Sequence, residues 1–310
     1  MGARLIRLGT RPSALARAQT EIVASSLRDA NPSVEFEIVP ISTGGDRSQE
    51  TNQPSADWGT GVFVKELEAA LLREEVDAAV HSLKDVPPVV TQGLTLVAIL
   101  VREDPLDVLV TRDGRGLEGL APGARVGTSS ARRSAFLRAA RPDVHFVAIR
   151  GNVETRLRKM TEPNASYDAV VLARAGLNRL DLEAAYVVLE PELLPPAPGQ
   201  GALAIQCRAG DRELADLTEP LHDPATAAAV RAERRLMVDL EGGCRLPIGA
   251  LGRPRADGQL HLLGGLAHDD GSLSIASQVG ELAAPEELAD RLAEHLRKPG
   301  AGEQRRVVYA

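Results

Sequence analysis

Val80-His81-Ser82-Leu83-Lys84-Asp85-Val86-Pro87-Pro88 follows a short apolar run that begins at Val76, and it stops at two prolines. The run reads as a buried strand, and the prolines cannot continue a hydrogen-bonded ladder. A carboxylate and an ammonium therefore stand side by side just beyond a strand end. In open α/β sheets the ligand crevice lies outside the carboxyl ends of strands, so Lys84 and Asp85 fall where chemistry usually happens. Alone, these residues fit an ordinary solvated turn better, because Asp and Pro are common turn formers; the rest of the chain changes that balance.

Upstream, Arg4 to Leu8 alternates charged and apolar residues as a strand does. Gly9-Thr10-Arg11-Pro12-Ser13 then turns the chain into a helix with Leu15, Ile22, Val23 and Leu27 on one face, ended by Asn31-Pro32. Ser13 suits an N-cap, and Arg11 beside the free helix N–H groups is able to hold an anion. Phe36 to Ile41 reads as a strand, 42–61 as a polar loop or lid, and Phe63, Leu67, Ala70 and Leu71 as a second amphipathic helix. The order strand, helix, strand, helix, strand predicts a largely parallel sheet covered by helices. Leu94 to Leu100 is a further buried strand, and Arg102-Glu103-Asp104-Pro105 reads as a crossing between domains.

Downstream the architecture repeats. Strands are expected at Asp107 to Val110, Arg125 to Gly127, Val144 to Ile149 and Ala169 to Leu172, with helices from Ala131 and over Val153 to Met160. Gly114 to Gly119 matches G-x-G-x-x-G, but Ala121-Pro122-Gly123 follows where a dinucleotide site needs a helix. Two strand-to-helix turns carry arginines: Thr128-Ser129-Ser130-Ala131-Arg132-Arg133 and Arg150-Gly151-Asn152-Val153-Glu154-Thr155-Arg156. Each offers helix N–H groups, a capping side chain and guanidinium forks for carboxylate or phosphate. Either turn alone also fits a plain cap with solvated arginines; the repetition points to a polyanionic ligand.

The proline- and glycine-rich 191–201 segment reads as a linker, after which Ala202 to Cys207 is expected to return as a strand to the first unit. Cys207, inside an apolar run, reads as an inert small hydrophobe. Asp223-Pro224 opens a helix with Ala229, Ala232, Leu236 and Leu240 on its buried face, stopped by Gly242-Gly243 before Cys244. Leu260 and Leu262, then Leu273, Ile275 and Val279, alternate as half-buried strands, and Leu288, Leu292 and Leu296 mark a closing helix. The expected domains are 1–101 with 200–220, 102–199, and 221–310.

Among 310 residues, 36 basic and 43 acidic side chains give a net charge of -7, and aromatic residues make up 3%. Neither global charge nor stacking platforms favour nucleic acid. Two cysteines exclude a disulfide framework, and no spacing suits zinc, so no metal is expected. The arginine-broken N-terminus lacks an apolar signal core, and no stretch is long enough to span a membrane, so a cytoplasmic protein is expected. The residues describe two α/β lobes with arginine-rich rims, a Lys-Asp pair and a third, small α+β domain offering a cysteine. Two functions fit: an enzyme acting on a polycarboxylated substrate, or a non-catalytic two-lobed protein that binds a small polycarboxylate. A carboxylate at Asp85 among basic groups favours the enzyme.

Along nearly its whole length the chain resembles porphobilinogen deaminases. The matching stretches are Thr10-Arg11 with Ser13, Phe63 to Leu67, His81 to Pro87, Arg102 to Pro105, Val126 to Ser130 with Arg132-Arg133, Arg150-Gly151-Asn152, Thr155-Arg156-Leu157, Gly199 to Ala202, and Glu241 to Cys244 with Pro247-Ile248-Gly249. The resemblance implies two lobes of the type II periplasmic-binding-protein-like fold and a monomeric transferase. It implies that such a transferase joins four porphobilinogen units head to tail into hydroxymethylbilane with loss of ammonia. It also implies a dipyrromethane cofactor attached by a thioether to Cys244, with Asp85 catalytic and contacting the cofactor. Ser13, Lys84, Thr128, Ser130, Arg132, Arg133 and Arg156 match cofactor-binding positions, and Arg11, Arg150 and Arg156 are expected to hold substrate carboxylates. One departure is Thr60, in Trp58-Gly59-Thr60-Gly61-Val62-Phe63, where the family often carries Lys. Thr60 therefore brings no charge to that lid.

Overall fold

The computed structural model describes residues 4–42, 64–162, 165–241, 247–268 and 270–297; Cys244 and the segment around Thr60 lie outside these ranges. The chain divides into two compact units, Met1–Glu103 with Gly201–Ala227, and Asp104–Gln200 with Ala228–Ala310. The first segment contains β1 (Arg4–Thr10), α1 (Ala14–Ala30), β2 (Val34–Pro40), α2 (Lys65–Leu72), β3 (Ala78–Ser82) and β4 (Leu94–Ile99). The next contains β5 (Asp107–Thr111), β6 (Arg125–Gly127), α3 (Ala131–Ala140), β7 (His145–Val147), α4 (Val153–Thr161), β8 (Ala169–Ala173), α5 (Arg174–Arg179) and β9 (Tyr186–Leu189). β10 (Leu203–Arg208), α6 (Arg212–Thr218), α7 (Pro224–Glu241), β11 (Ile248–Pro254), β12 (Gln259–Ala267), β13 (Leu273–Glu281) and α8 (Pro285–Leu296) follow.

The first unit's sheet has the order β2-β1-β3-β10-β4. β1 pairs in parallel with β2 and β3, while β10 lies antiparallel to both β3 and β4. The strand after the proline-rich stretch thus returns to the first unit as expected, but the sheet is mixed. β10 is the first strand of its returning segment, and antiparallel pairing needs no crossover helix. Side chains alternate across the sheet: Ala78 and Val80 join Val23, Ala24 and Leu27 of α1, whereas Ala79 joins Leu67, Ala70 and Leu71 of α2.

The second unit's larger sheet runs β7-β6-β8-β5-β9. Here too one strand, β5, is antiparallel to its neighbours β8 and β9. Leu109 packs with Phe136 and Leu137 of α3, while Val108 and Val110 pack with Ile149, Met160 and Leu177 on the opposite face. The antiparallel sheet β11-β12-β13 carries Leu260 and Leu262 against Leu236 and Leu240 of α7 and Leu288 and Leu292 of α8.

The proline-rich stretch is no solvated linker. Leu194 has no exposed surface, and Pro195, Pro196 and Pro198 are buried. A Cβ on Gly249 would stand 2.2 Å from the Pro195 carbonyl oxygen, and one on Gly265 would stand 2.7 Å from the Pro195 ring and 2.9 Å from Phe136. Ala250 N–H donates to the Pro196 carbonyl at 2.8 Å. Proline brings no N–H into the interior, so such a segment can be buried without orphaned donors.

Candidate active site

Parallel neighbours end on the same edge of a sheet, and that geometry gathers the first group of candidates. β1 and β3 pair through Leu8 with Ala78 and Gly9 with Ala79, so the turns after both strands emerge together. After β1, Ser13 caps α1 by accepting from Ala16 N–H at 3.3 Å, which satisfies a donor that the first helical turn leaves open. Arg11, beside that cap, is half-buried. After β3, Leu83–Asp85 forms one 3-10 turn, closed by Val86 N–H to the Leu83 carbonyl at 3.1 Å. Leu83 is fully buried and anchors the turn, leaving Lys84 exposed and Asp85 half-buried.

Two supports of this turn were not anticipated from the sequence. Ser82 Oγ donates to Gln19 Oε1 at 2.9 Å, tying the end of β3 to α1. Behind it, buried His81 Nε2 lies 2.9 Å from Gln206 Oε1, Gln206 Nε2 donates to Glu68 Oε1 at 3.0 Å, and Thr91 Oγ1 donates to Glu68 Oε2 at 2.7 Å. Because the Gln206 amide nitrogen is spent on Glu68, His81 Nε2 must carry the proton. Burial pushes the His81 imidazole down to about 4, outweighing the Gln206 hydrogen bond and the negative charges of Glu68 and Asp85.

The second group forms in the same way within the other unit, where β6 and β7 are parallel neighbours. Ser130 caps α3 by accepting from Arg133 N–H at 3.3 Å, and Asn152 caps α4 by accepting from Thr155 N–H at 2.9 Å. Thr128 Oγ1 accepts from Ser130 N–H at 3.2 Å, and Ser129 Oγ bonds both the carbonyl and the N–H of Ile149, at 2.7 and 3.1 Å, stitching the two turns together. Gly151, at φ +110, makes the bend before α4.

The arginines of these turns differ. Arg132 and Arg133 are each 7% exposed and both grip Asp107, which has no exposed surface. Arg132 Nη2 lies 2.7 Å from Asp107 Oδ2, and Arg133 Nη2 lies 2.6 Å from Oδ1. Burial alone would raise the Asp107 carboxyl, but the two guanidinium groups hold it well below the usual carboxylate range. Arg156 is half-buried and donates through Nε to the Gly151 carbonyl at 2.8 Å, with no carboxylate partner among the described residues. Burial, followed by repulsion from Arg133, lowers its guanidinium to about 10, so it stays cationic at neutral pH. Arg150, at the start of the same turn, is half-buried, and its carbonyl accepts from Lys159 Nζ at 3.1 Å.

Asp107 and Gln200 carry much of this arrangement and were missed in the sequence reading. The available signals were a carboxylate heading an otherwise apolar run, Asp107 to Val110, and the place of Gln200 within the Gly199 to Ala202 match. Cys244 and Thr60 lie outside the described residues.

Two family models match the chain: "Porphobilinogen deaminase, dipyromethane cofactor binding domain" over residues 6–216 and "Porphobilinogen deaminase, C-terminal domain" over residues 227–298. A porphobilinogen deaminase of Stenotrophomonas maltophilia is 47% identical over 300 residues, covering 96% of this chain and 98% of that relative. One from Rubrobacter xylanophilus is 48% identical over 303 residues, covering 97% and 96%. Among solved structures, the methionine-binding protein MetQ superposes with a TM-score of 0.43 at 12% identity, covering 74% of this chain and 90% of that one.

Proposed function

Because the chain belongs to the porphobilinogen deaminase family, we propose that the two groups of residues just described hold its dipyrromethane cofactor and the pyrrole chain that grows from it. The activity follows from the membership. The chain is a transferase of tetrapyrrole biosynthesis, condensing four porphobilinogen molecules head to tail into hydroxymethylbilane with release of ammonia. The non-catalytic binding-protein alternative has no observation of its own in its favour. What carries the reading is the pair of family models, which together span residues 6–216 and 227–298.

The residues present suit the cofactor. Each pyrrole ring carries acetate and propionate groups, and Arg156 is a half-buried cation with no carboxylate partner among the described residues. Planar guanidinium groups fork carboxylates better than ammonium groups do. When bound, through a thioether to Cys244, the dipyrromethane supplies the pyrrole terminus to which substrate is joined. Ser13, Lys84, Thr128, Ser130, Arg132, Arg133 and Arg156 hold it, and Arg11, Arg150 and Arg156 take carboxylates of the incoming substrate. Asp85 is the catalytic carboxylate. Loss of ammonia leaves positive charge on the incoming pyrrole, and Asp85 offsets that charge and moves protons near the pyrrole nitrogens.

We also read 221–310 as a third domain, supported by its own sheet and the separate C-terminal family match, and the protein as a cytoplasmic monomer, supported by the family resemblance. Among the described residues no helix is long and apolar enough to cross a membrane. Asp85→Ala tests the catalytic assignment: product formation from porphobilinogen should fall at least about 100-fold, with an unchanged melting temperature. Turnover at the wild-type rate would remove Asp85 from the mechanism.

A further inference from the structure

Asp107 opens β5 with a carboxylate that no water reaches, yet every described contact on it comes from residues at the candidate site or behind it. Arg132 Nη2 meets Oδ2 at 2.7 Å, and Arg133 Nε and Nη2 meet Oδ1 at 3.1 and 2.6 Å. Gln200 Nε2 adds a bond to Oδ1 at 3.1 Å and another to the Pro105 carbonyl at 2.7 Å. The remaining ends of the guanidinium groups are pinned by backbone, Arg132 Nη1 to the Pro195 carbonyl at 2.6 Å and Arg133 Nη1 to the Val171 carbonyl at 2.8 Å.

Two buried cations share one buried anion, and Arg156 adds a third positive charge close enough to Arg133 to be repelled by it. Burying such a set costs more than filling the space with apolar side chains, so stability alone does not account for it. The uncompensated positive charge calls for an anion from outside the cluster.

We infer that Asp107 is a positioning residue, whose buried carboxylate fixes Arg132 and Arg133 before any ligand arrives so that the cluster's surplus positive charge meets the carboxylates of the pyrrole chain in a set geometry. The inference rests on the assignment of Arg132, Arg133 and Arg156 to cofactor binding. Asp107 itself touches no substrate; it acts through the two arginines.

The test compares wild type, Asp107→Glu and Asp107→Asn as purified enzymes, by intact mass for covalent pyrrole, by KM and kcat for porphobilinogen, and by thermal melting. Asp107→Glu keeps the charge balance and moves the carboxylate outward by one methylene. Positioning requires that folded Asp107→Glu lose cofactor occupancy or raise KM by at least about tenfold, one misplaced charge-assisted bond, with a smaller change in kcat. A folded Asp107→Glu with full occupancy and wild-type KM would overturn the inference, whatever its melting temperature. Should neither variant fold, Gln200→Met removes the neutral donor on Oδ1 together with its bond to the Pro105 carbonyl and leaves both arginines in place; a KM raised by about threefold supports the inference, and an unchanged KM overturns it. Wild type that neither carries nor acquires covalent pyrrole would instead defeat the functional assignment beneath it.

Discussion

At the residue scale, His81 is a buried group held neutral by its surroundings. Its imidazole lies at about 4 in the folded protein against 6.5 ordinarily, so as pH falls the unfolded chain takes up the proton first. The stability contributed by the neutral ring is therefore complete above pH 6.5 and lost as pH falls towards 4, on the order of 3 kcal/mol in all. Asp107 acts in a separate, lower window: its contribution is present above 3.8 and is lost as pH falls below that value. Denaturant titrations of wild type and His81→Gln between pH 4 and 6.5 should show a shallower loss of stability in the variant; parallel curves would contradict the neutral buried state. The caps Ser13, Ser130 and Asn152 were legible in the sequence because a cap acts on N–H groups two or three residues away. Asp107 and the chain from His81 through Gln206 to Glu68 were not, because their partners lie 25 to 138 positions away.

Elements that own a periodic apolar face were readable, and those that borrow their burial from neighbours were not. α1, α7 and α8 carry repeating buried positions, and each was expected where it occurs. β9 has four residues, and β11 contains two glycines and ends on proline, so neither shows a strand pattern by itself. The 191–201 segment misled for a related reason. Proline and glycine are ordinary signs of exposed connections, yet here Gly249 and Gly265 leave room for the buried prolines to pack. Gly249→Ala should therefore destabilise the protein by about 1 to 3 kcal/mol, since the new methyl group meets backbone and not a flexible side chain. Equilibrium denaturation measures this; wild-type stability would mean that the chain at Pro195 leaves room for a methyl group at position 249.

For the whole molecule, composition and function point in opposite directions until charge is resolved locally. A chain of net charge -7 acts on a substrate rich in carboxylates, and the arginines proposed to hold those carboxylates stand at strand-to-helix turns, where helix N-termini would add to their pull. The α/β class and the return of the chain to its first unit were legible from strand and helix order. The direction of β5 and β10 was not, because an apolar run reads the same in either orientation. The central claim is that this chain builds pyrrole chains on a cofactor anchored at Cys244. It is tested most directly by the intact mass of the denatured protein, wild type beside Cys244→Ser, before and after incubation with porphobilinogen. Wild type should carry the mass of a dipyrromethane and gain whole pyrrole units, while the variant carries and gains none. Equal masses for both proteins in every condition would contradict the claim.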